Sequence, residues 1–154
     1  MKTTVALVHL FFATVWLGGS FFYAVLLLPR LAVIDAGAQR ALKRALGGTM
    51  RPLFAASALA TIASGLVMMV QLHPLHPGSF SHTRWGWALI VGTLASLAAL
   101  VIATLCEVEL RRANGRPASA AQQGPLLRRE FAVRLGALSL LLVALATMAV
   151  ARYS

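Results

Sequence analysis

Four imidazoles are the side chains of this sequence best suited to chemistry: His9, His73, His76 and His82. Neutral imidazole is a ligand for haem iron, copper and zinc. His9 stands inside an apolar run, Val5 to Leu28, of 24 residues with no formal charge. On a helix, His9, Ala13, Trp16, Ser20 and Tyr23 fall near one line, because steps of four, three, four and three residues average close to 3.6. That line is the only strongly polar-aromatic face of the run. The opposite side, with Phe11 and Val15, is aliphatic and phenyl. An ionisable residue within a membrane span is costly and faces the bundle or a cavity. His73 and His76 each precede a proline, which disfavours the α conformation for both, so they belong to a loop.

Two ligand chemistries follow from these positions. A bis-histidine b-type haem needs two imidazoles facing each other across the bundle. His9 is the first ligand, and His73 or His76 supplies the second. Arg84 and the tryptophans, Trp16 among them, are placed to hold propionates and macrocycle. Copper would use the same histidines together with His82, with Met68 and Met69 as softer ligands. A third reading needs no cofactor: His9 hydrogen-bonds a neighbouring helix. The sequence offers no Ser-His-Asp arrangement, no phosphate loop, no C-x-x-C and no carboxylate pair within a span, so hydrolase and ATPase sites are absent. Cys106 is the only cysteine. It excludes an internal disulfide and reads as structural.

The elements that must position these groups are membrane helices. The chain has 154 residues, 59% of them hydrophobic and only 12% charged, against about 25% charged in a soluble domain. Mean hydropathy is +0.79. The expected fold is all-α: one integral membrane domain, an antiparallel four-helix bundle with helices at about 4–28, 52–72, 85–112 and 130–151. Between the first two lies a short amphipathic piece, broken at Gly47-Gly48. Pro52 then opens the second helix as a favourable first-turn residue. Ser57, Thr61, Ser64, Met68 and Gln71 form one stripe of that helix. Gly92, Ala95, Ser96 and Ala99 give the third helix a close-packing face. Trp85 and Trp87 mark a membrane interface. Glu107 and Glu109 continue the third helix into water, paired with Arg111 or Arg112. Asn114-Gly115 and Pro117 stop that helix. The N-terminal run is longer than a signal-peptide core and lacks an A-x-A site, so it reads as a retained helix.

Charge orients the bundle. The first and third connections with their helix edges carry Arg30, Arg40, Lys43, Arg44, Arg51, Arg111, Arg112, Arg116, Arg128, Arg129 and Arg134. Lys2, Arg84 and Arg152 are on the other side. The positive-inside rule puts both termini outside and both long connections in the cytoplasm of a bacterial-type inner membrane. The net charge of +10 therefore reflects topology rather than nucleic-acid binding. All four histidines then lie on or near the outer side. The four carboxylates Asp35, Glu107, Glu109 and Glu130 lie on the inner side.

Three runs of the first span, Val8-His9-Leu10, Trp16-Leu17-Gly18-Gly19 and Leu28-Pro29-Arg30-Leu31, resemble the opening helix of the CopD-like and HemJ-like membrane proteins. In those small bundles a histidine stands seven residues before a tryptophan, with glycine following, as His9 and Trp16 do. The resemblance to the HemJ type implies haem b held by His9 and a role in protoporphyrinogen oxidation. That type also carries a lysine in its third helix. Here Trp85 to Leu105 is uncharged, a departure that bears on the oxidase activity. The resemblance to the CopD type implies copper handling across the inner membrane. The likeness covers the first span closely and the four-helix plan loosely.

The preferred expectation is a haem b-binding electron-transfer protein, an oxidoreductase if it is an enzyme. A copper-binding or copper-transport protein and a cofactor-free structural subunit stand beside it. The partners expected are the lipid bilayer, a quinone or redox partner protein, and further copies in a homo-oligomer.

Overall fold

The computed structural model describes residues 2–72, 83–114 and 120–153. Among them are four long helical rods. Helix α1 comprises Lys2–Phe21, a π-helical segment Phe22–Leu27 and a last turn Leu28–Leu31. Helix α2 is Ala36–Leu72, α3 is Arg84–Asn114 and α4 is Ala120–Tyr153. All four are long and apolar enough to cross a membrane. The protein is thus an all-α, multi-pass membrane bundle. Its helices are antiparallel. His9 near the start of α1 meets Thr61 and Ser64 in the last third of α2. Tyr23 near the end of α1 meets Glu130 in the first third of α4.

The π segment has a local cause. In α geometry the ring of Pro29 would collide with the carbonyl of Val25, and Pro29 has no amide to donate. The wider turn relieves that conflict. The Leu28 amide accordingly donates to the Tyr23 carbonyl five residues back. The chain leaves α1 through a turn in which the Ala32 amide donates to the Pro29 carbonyl. Asp35 then caps α2, its Oδ1 accepting from the amides of Gly37 at 2.8 Å and Ala38 at 3.0 Å. These amides hold the Asp35 carboxyl below the ordinary carboxylate range.

Helix α2 corrects the expectation of a break at Gly47-Gly48 and a start at Pro52. It runs 37 residues without interruption, with Pro52 inside it. At 1.5 Å per residue it is about 55 Å long, well beyond a hydrocarbon core of about 30 Å. Pro52 forfeits one bond, to the Gly48 carbonyl, and glycine costs roughly 1 kcal/mol in a helix interior. Tertiary contacts on both sides of the weak point outweigh these costs. Gly47 even has a use: a Cβ there would lie 3.0 Å from the Arg51 guanidinium carbon. The bare backbone lets Arg51 lie along the helix. Helix α4 likewise starts about ten residues earlier than expected, at Ala120, with Pro125 in its second turn. Helix α3 matches its expected range within two residues at each end, and the Thr83 hydroxyl caps it by accepting from the Gly86 amide at 3.0 Å.

The rods form two hairpins. Helices α1 and α2 pack closely together, as do α3 and α4, while the two hairpins meet along a sparser seam. The core crosses that seam at one level. Trp16 of α1 is buried in a cluster with Ala58 of α2, Ala99 of α3, and Ala137 and Leu141 of α4. One large ring fills the space that alanines leave on three other helices. In the same way Gly92 lets α3 approach α4, where a Cβ would stand 2.9 Å from the Thr147 hydroxyl. The small-residue face expected on α3 is buried at Gly92, Ala95, Ser96 and Ala99. Large apolar side chains such as Leu10, Phe11, Leu94 and Leu105 are exposed on the outside, as contact with lipid requires.

Candidate functional sites at the two ends of the bundle

His9 faces the bundle and is half-buried. Its Nδ1 lies 2.9 Å from the Thr61 carbonyl oxygen and 3.1 Å from the Ser64 hydroxyl. A carbonyl only accepts, so Nδ1 carries the hydrogen and donates. The Ser64 hydroxyl donates in turn to the Ala60 carbonyl at 2.6 Å, which leaves its oxygen free to accept from the same imidazole hydrogen. Gly65 makes the approach possible, since a Cβ there would sit 3.2 Å from His9 Cε1. A neutral imidazole fixed in this tautomer keeps its lone pair on Nε2, which has no partner among the described residues. This is the pattern of a metal-ligating histidine that anchors its other nitrogen on a backbone carbonyl.

The remaining sequence candidates have various fates. His73, His76 and His82 lie outside the described residues. The chain leaves α2 at Leu72 and enters α3 at Arg84 on the same end of the bundle as His9. Arg84 is the first residue of α3; its side chain lies outside the description. Trp16 is a core residue, buried among small side chains. Among the described residues, no three His, Cys, Asp or Glu side chains gather as a metal-binding group.

The other end of the bundle holds a site that the sequence did not announce. It lies about 21 Å from His9 along α1, by helical rise from residue 9 to residue 23. Glu130 of α4 is 2% exposed. Its Oε1 accepts from the Tyr23 hydroxyl at 2.8 Å and its Oε2 from Lys43 Nζ at 2.5 Å. Glu107 of α3 pairs with Arg51 of α2 at 2.6 Å and with Arg134 of α4 at 3.4 Å. The Arg134 guanidinium also lies over the Tyr23 ring, 5.1 Å from its centre. Five ionised groups and a phenol from four helices thus form one cluster. These groups line a cavity of about 450 Å³ between the hairpins. Glu107 is therefore no simple solvated helix end: it bridges helices with 20% of its side chain exposed. Glu109 does pair in the open, with Arg129 at 2.9 Å.

Sequence reasoning missed this cluster because of two helix boundaries. With α4 starting at Glu130, that carboxylate sits in solvent; with α4 starting at Ala120, it lies almost three turns inside. With α2 starting at Pro52, Lys43 and Arg51 are loop charges. The usable signal was Tyr23, a hydroxyl on the polar line of α1 that needs a partner when buried.

Fold and sites together define a four-helix, membrane-spanning protein with a hydrogen-bonded imidazole at one end and an ion-pair cluster at the other. No family model matches the sequence, and neither the curated proteins nor the solved structures show a significant match.

Proposed function

We propose that the protein binds haem b in the membrane and serves electron transfer, with His9 as one axial ligand and His73 or His76 as the other. The observation that carries this reading is the hydrogen bond from His9 Nδ1 to the Thr61 carbonyl at 2.9 Å. It fixes the tautomer and leaves Nε2 as the ligating atom, which is what the first ligand of a b-type haem requires. When bound, haem supplies one-electron chemistry. The chain's own part is to hold the imidazole between α1 and α2 through its Nδ1. The excess of Lys and Arg at the Glu130 end supports an orientation in a bacterial-type inner membrane with both termini outside. Electrons would then enter or leave near the outer face, through a quinone or a redox partner protein. A copper site built on the same histidines is the alternative occupant.

A second reading rests on the same geometry. The Thr61 carbonyl and the Ser64 hydroxyl together satisfy Nδ1. In a cofactor-free subunit that bond alone would tie α1 to α2.

The protein purified from membranes should be red, with a Soret band. His9→Ala should remove the band while the protein still inserts, because insertion depends on the apolar spans. Metal analysis of the colourless protein separates copper from the cofactor-free reading. A full haem complement with an unchanged spectrum in His9→Ala removes His9 from the ligand set.

A further inference from the structure

The cavity at the Glu130 end has charged and apolar lining, and on α2 and α3 the two are set out along the helix. Along α2, Arg51 and Lys43 lie toward the end of the bundle and Phe54 toward its middle. On α3 the order is Glu107 then Leu100, and on α1 the middle is marked by Trp16. Spacings of seven residues are about 10 Å of helix. The charged groups therefore lie at the end of the cavity, with Leu27, Leu31 and Met50 beside them, and its inner part toward Trp16, Phe54 and Leu100 is apolar, which suits a molecule with a head and a tail. Its volume of about 450 Å³ falls in the range of small-molecule sites.

The charges at that end do not cancel. Lys43, Arg51 and Arg134 face two lining carboxylates, Glu107 and Glu130. Lys43 and Arg51 have close partners at 2.5 and 2.6 Å. Besides its place over the Tyr23 ring, Arg134 has among the described residues the 3.4 Å approach of Nη2 to Glu107, long against about 2.7–2.9 Å for a charge-assisted bond. Its Nε is buried and has no partner among the described residues. A guanidinium offers five N–H donors in a planar fork that matches an oxyanion. An intramembrane cation left this way marks a binding site. Access is available too, because the cavity lies on the seam where the two hairpins pack sparsely.

We propose that this cavity binds an anionic amphiphile of the bilayer, its oxyanion head on Arg134 between Lys43 and Arg51 and its hydrocarbon against Trp16, Phe54 and Leu100. Basic pockets between membrane helices take acidic headgroups for the same reason. The head is a phosphate diester or a carboxylate, and both satisfy the same donors. The site is separate from His9 and does not depend on the haem reading.

Trp16 reports on the cavity. In a Trp85→Phe/Trp87→Phe background it is the only tryptophan, since the chain has three. The protein is reconstituted in phosphatidylcholine bilayers. Equal mole fractions of brominated phosphatidylglycerol, brominated oleate or brominated phosphatidylcholine are then added as quenchers. An acidic quencher should reach Trp16 with about fivefold higher apparent affinity than the neutral one, the equivalent of about 1 kcal/mol for one unmatched basic residue. Preference for the phosphatidylglycerol alone assigns a phospholipid, preference for oleate alone assigns a fatty acid, and preference for both supports the shared chemistry. Equal quenching by all three overturns the proposal. Arg134→Gln should abolish the preference. Ala103→Leu fills the cavity without altering a charge, and it should abolish the preference as well. Persistence of the preference in either inserted variant also overturns the proposal.

Discussion

At the His9 end, one imidazole is held by a backbone carbonyl and a hydroxyl of the same hairpin. At the Glu130 end, five ionised side chains are held by one another and span both hairpins. His9 joins α1 only to α2, two helices that already pack closely. Glu130 joins α4 to α1 and α2, and Glu107 joins α3 to α2 and α4. Beside the Trp16 cluster, these ions join the two hairpins across the seam. A neutral donor can lose its acceptor at modest cost, whereas a buried charge cannot lose its counterion. The two ends should therefore respond very differently to mutation, and loss of one ion at the Glu130 end should loosen the seam between the hairpins.

The largest effect should come from breaking the buried pair on one side only. Lys43→Met leaves Glu130 charged and 2% exposed, with the Tyr23 hydroxyl as its remaining hydrogen-bond donor. Such a loss costs about 3–5 kcal/mol. The double variant Lys43→Met/Glu130→Leu should recover most of it, because an apolar pair replaces two desolvated ions. Reversible unfolding in mixed detergent micelles measures both. If the single variant unfolds within about 1 kcal/mol of the parent, the pair is not desolvated and the contrast between the ends disappears.

The middle of the bundle was far more legible in the sequence than its ends. A period of 3.6 in polar and small residues marks an interior face wherever lipid covers the rest of the helix. It picked out His9, Trp16 and Tyr23 on α1, and Ser57, Thr61 and Ser64 on α2, and these residues do face the interior. The ends failed for a reason of their own. Gly47, Gly48, Pro52 and Pro125 are helix breakers by local propensity, and propensity is a weak prior against tertiary packing. Lys43, Arg51 and Glu130 flank those breakers and find partners only once the helices run through them. A boundary fixed by a long-range ion pair cannot be read from its own neighbourhood.

A second, smaller effect tests the His9 end. A Cβ at residue 65 would meet His9 Cε1 at 3.2 Å, and the ring can move by a few tenths of an ångström to accept it. Gly65→Ala should therefore be about 1–2 kcal/mol less favourable than Gly48→Ala, which gains the same helix propensity without a clash. It should also weaken the bond from Nδ1 to the Thr61 carbonyl, seen as a shift of the His9 ring-hydrogen resonance toward that of a solvated imidazole. Gly48→Ala is the control, because a Cβ there meets nothing within 4 Å. Equal responses at the two glycines would mean that His9 is held loosely, and that this end is no more built than an exposed helix face.

The smallest effect lies outside both sites, at the exposed cap of α2. Asp35 accepts from the Ala38 and Gly37 amides, which lower its carboxyl from the ordinary range. The stabilisation is complete above the ordinary carboxylate pKa of about 3.9. It is lost as pH falls through the lower value of the folded state, because the protonated carboxyl accepts more weakly. Protection of the Gly37 and Ala38 amides against hydrogen exchange, corrected for the intrinsic pH dependence, should stay level from neutral pH to the ordinary carboxylate range and fall below it. Asparagine caps helices about as well as aspartate but does not titrate there. Asp35→Asn should accordingly keep the protection near neutral pH and lose the acid-dependent drop. A drop that persists unchanged in Asp35→Asn would assign the acid sensitivity to another carboxylate.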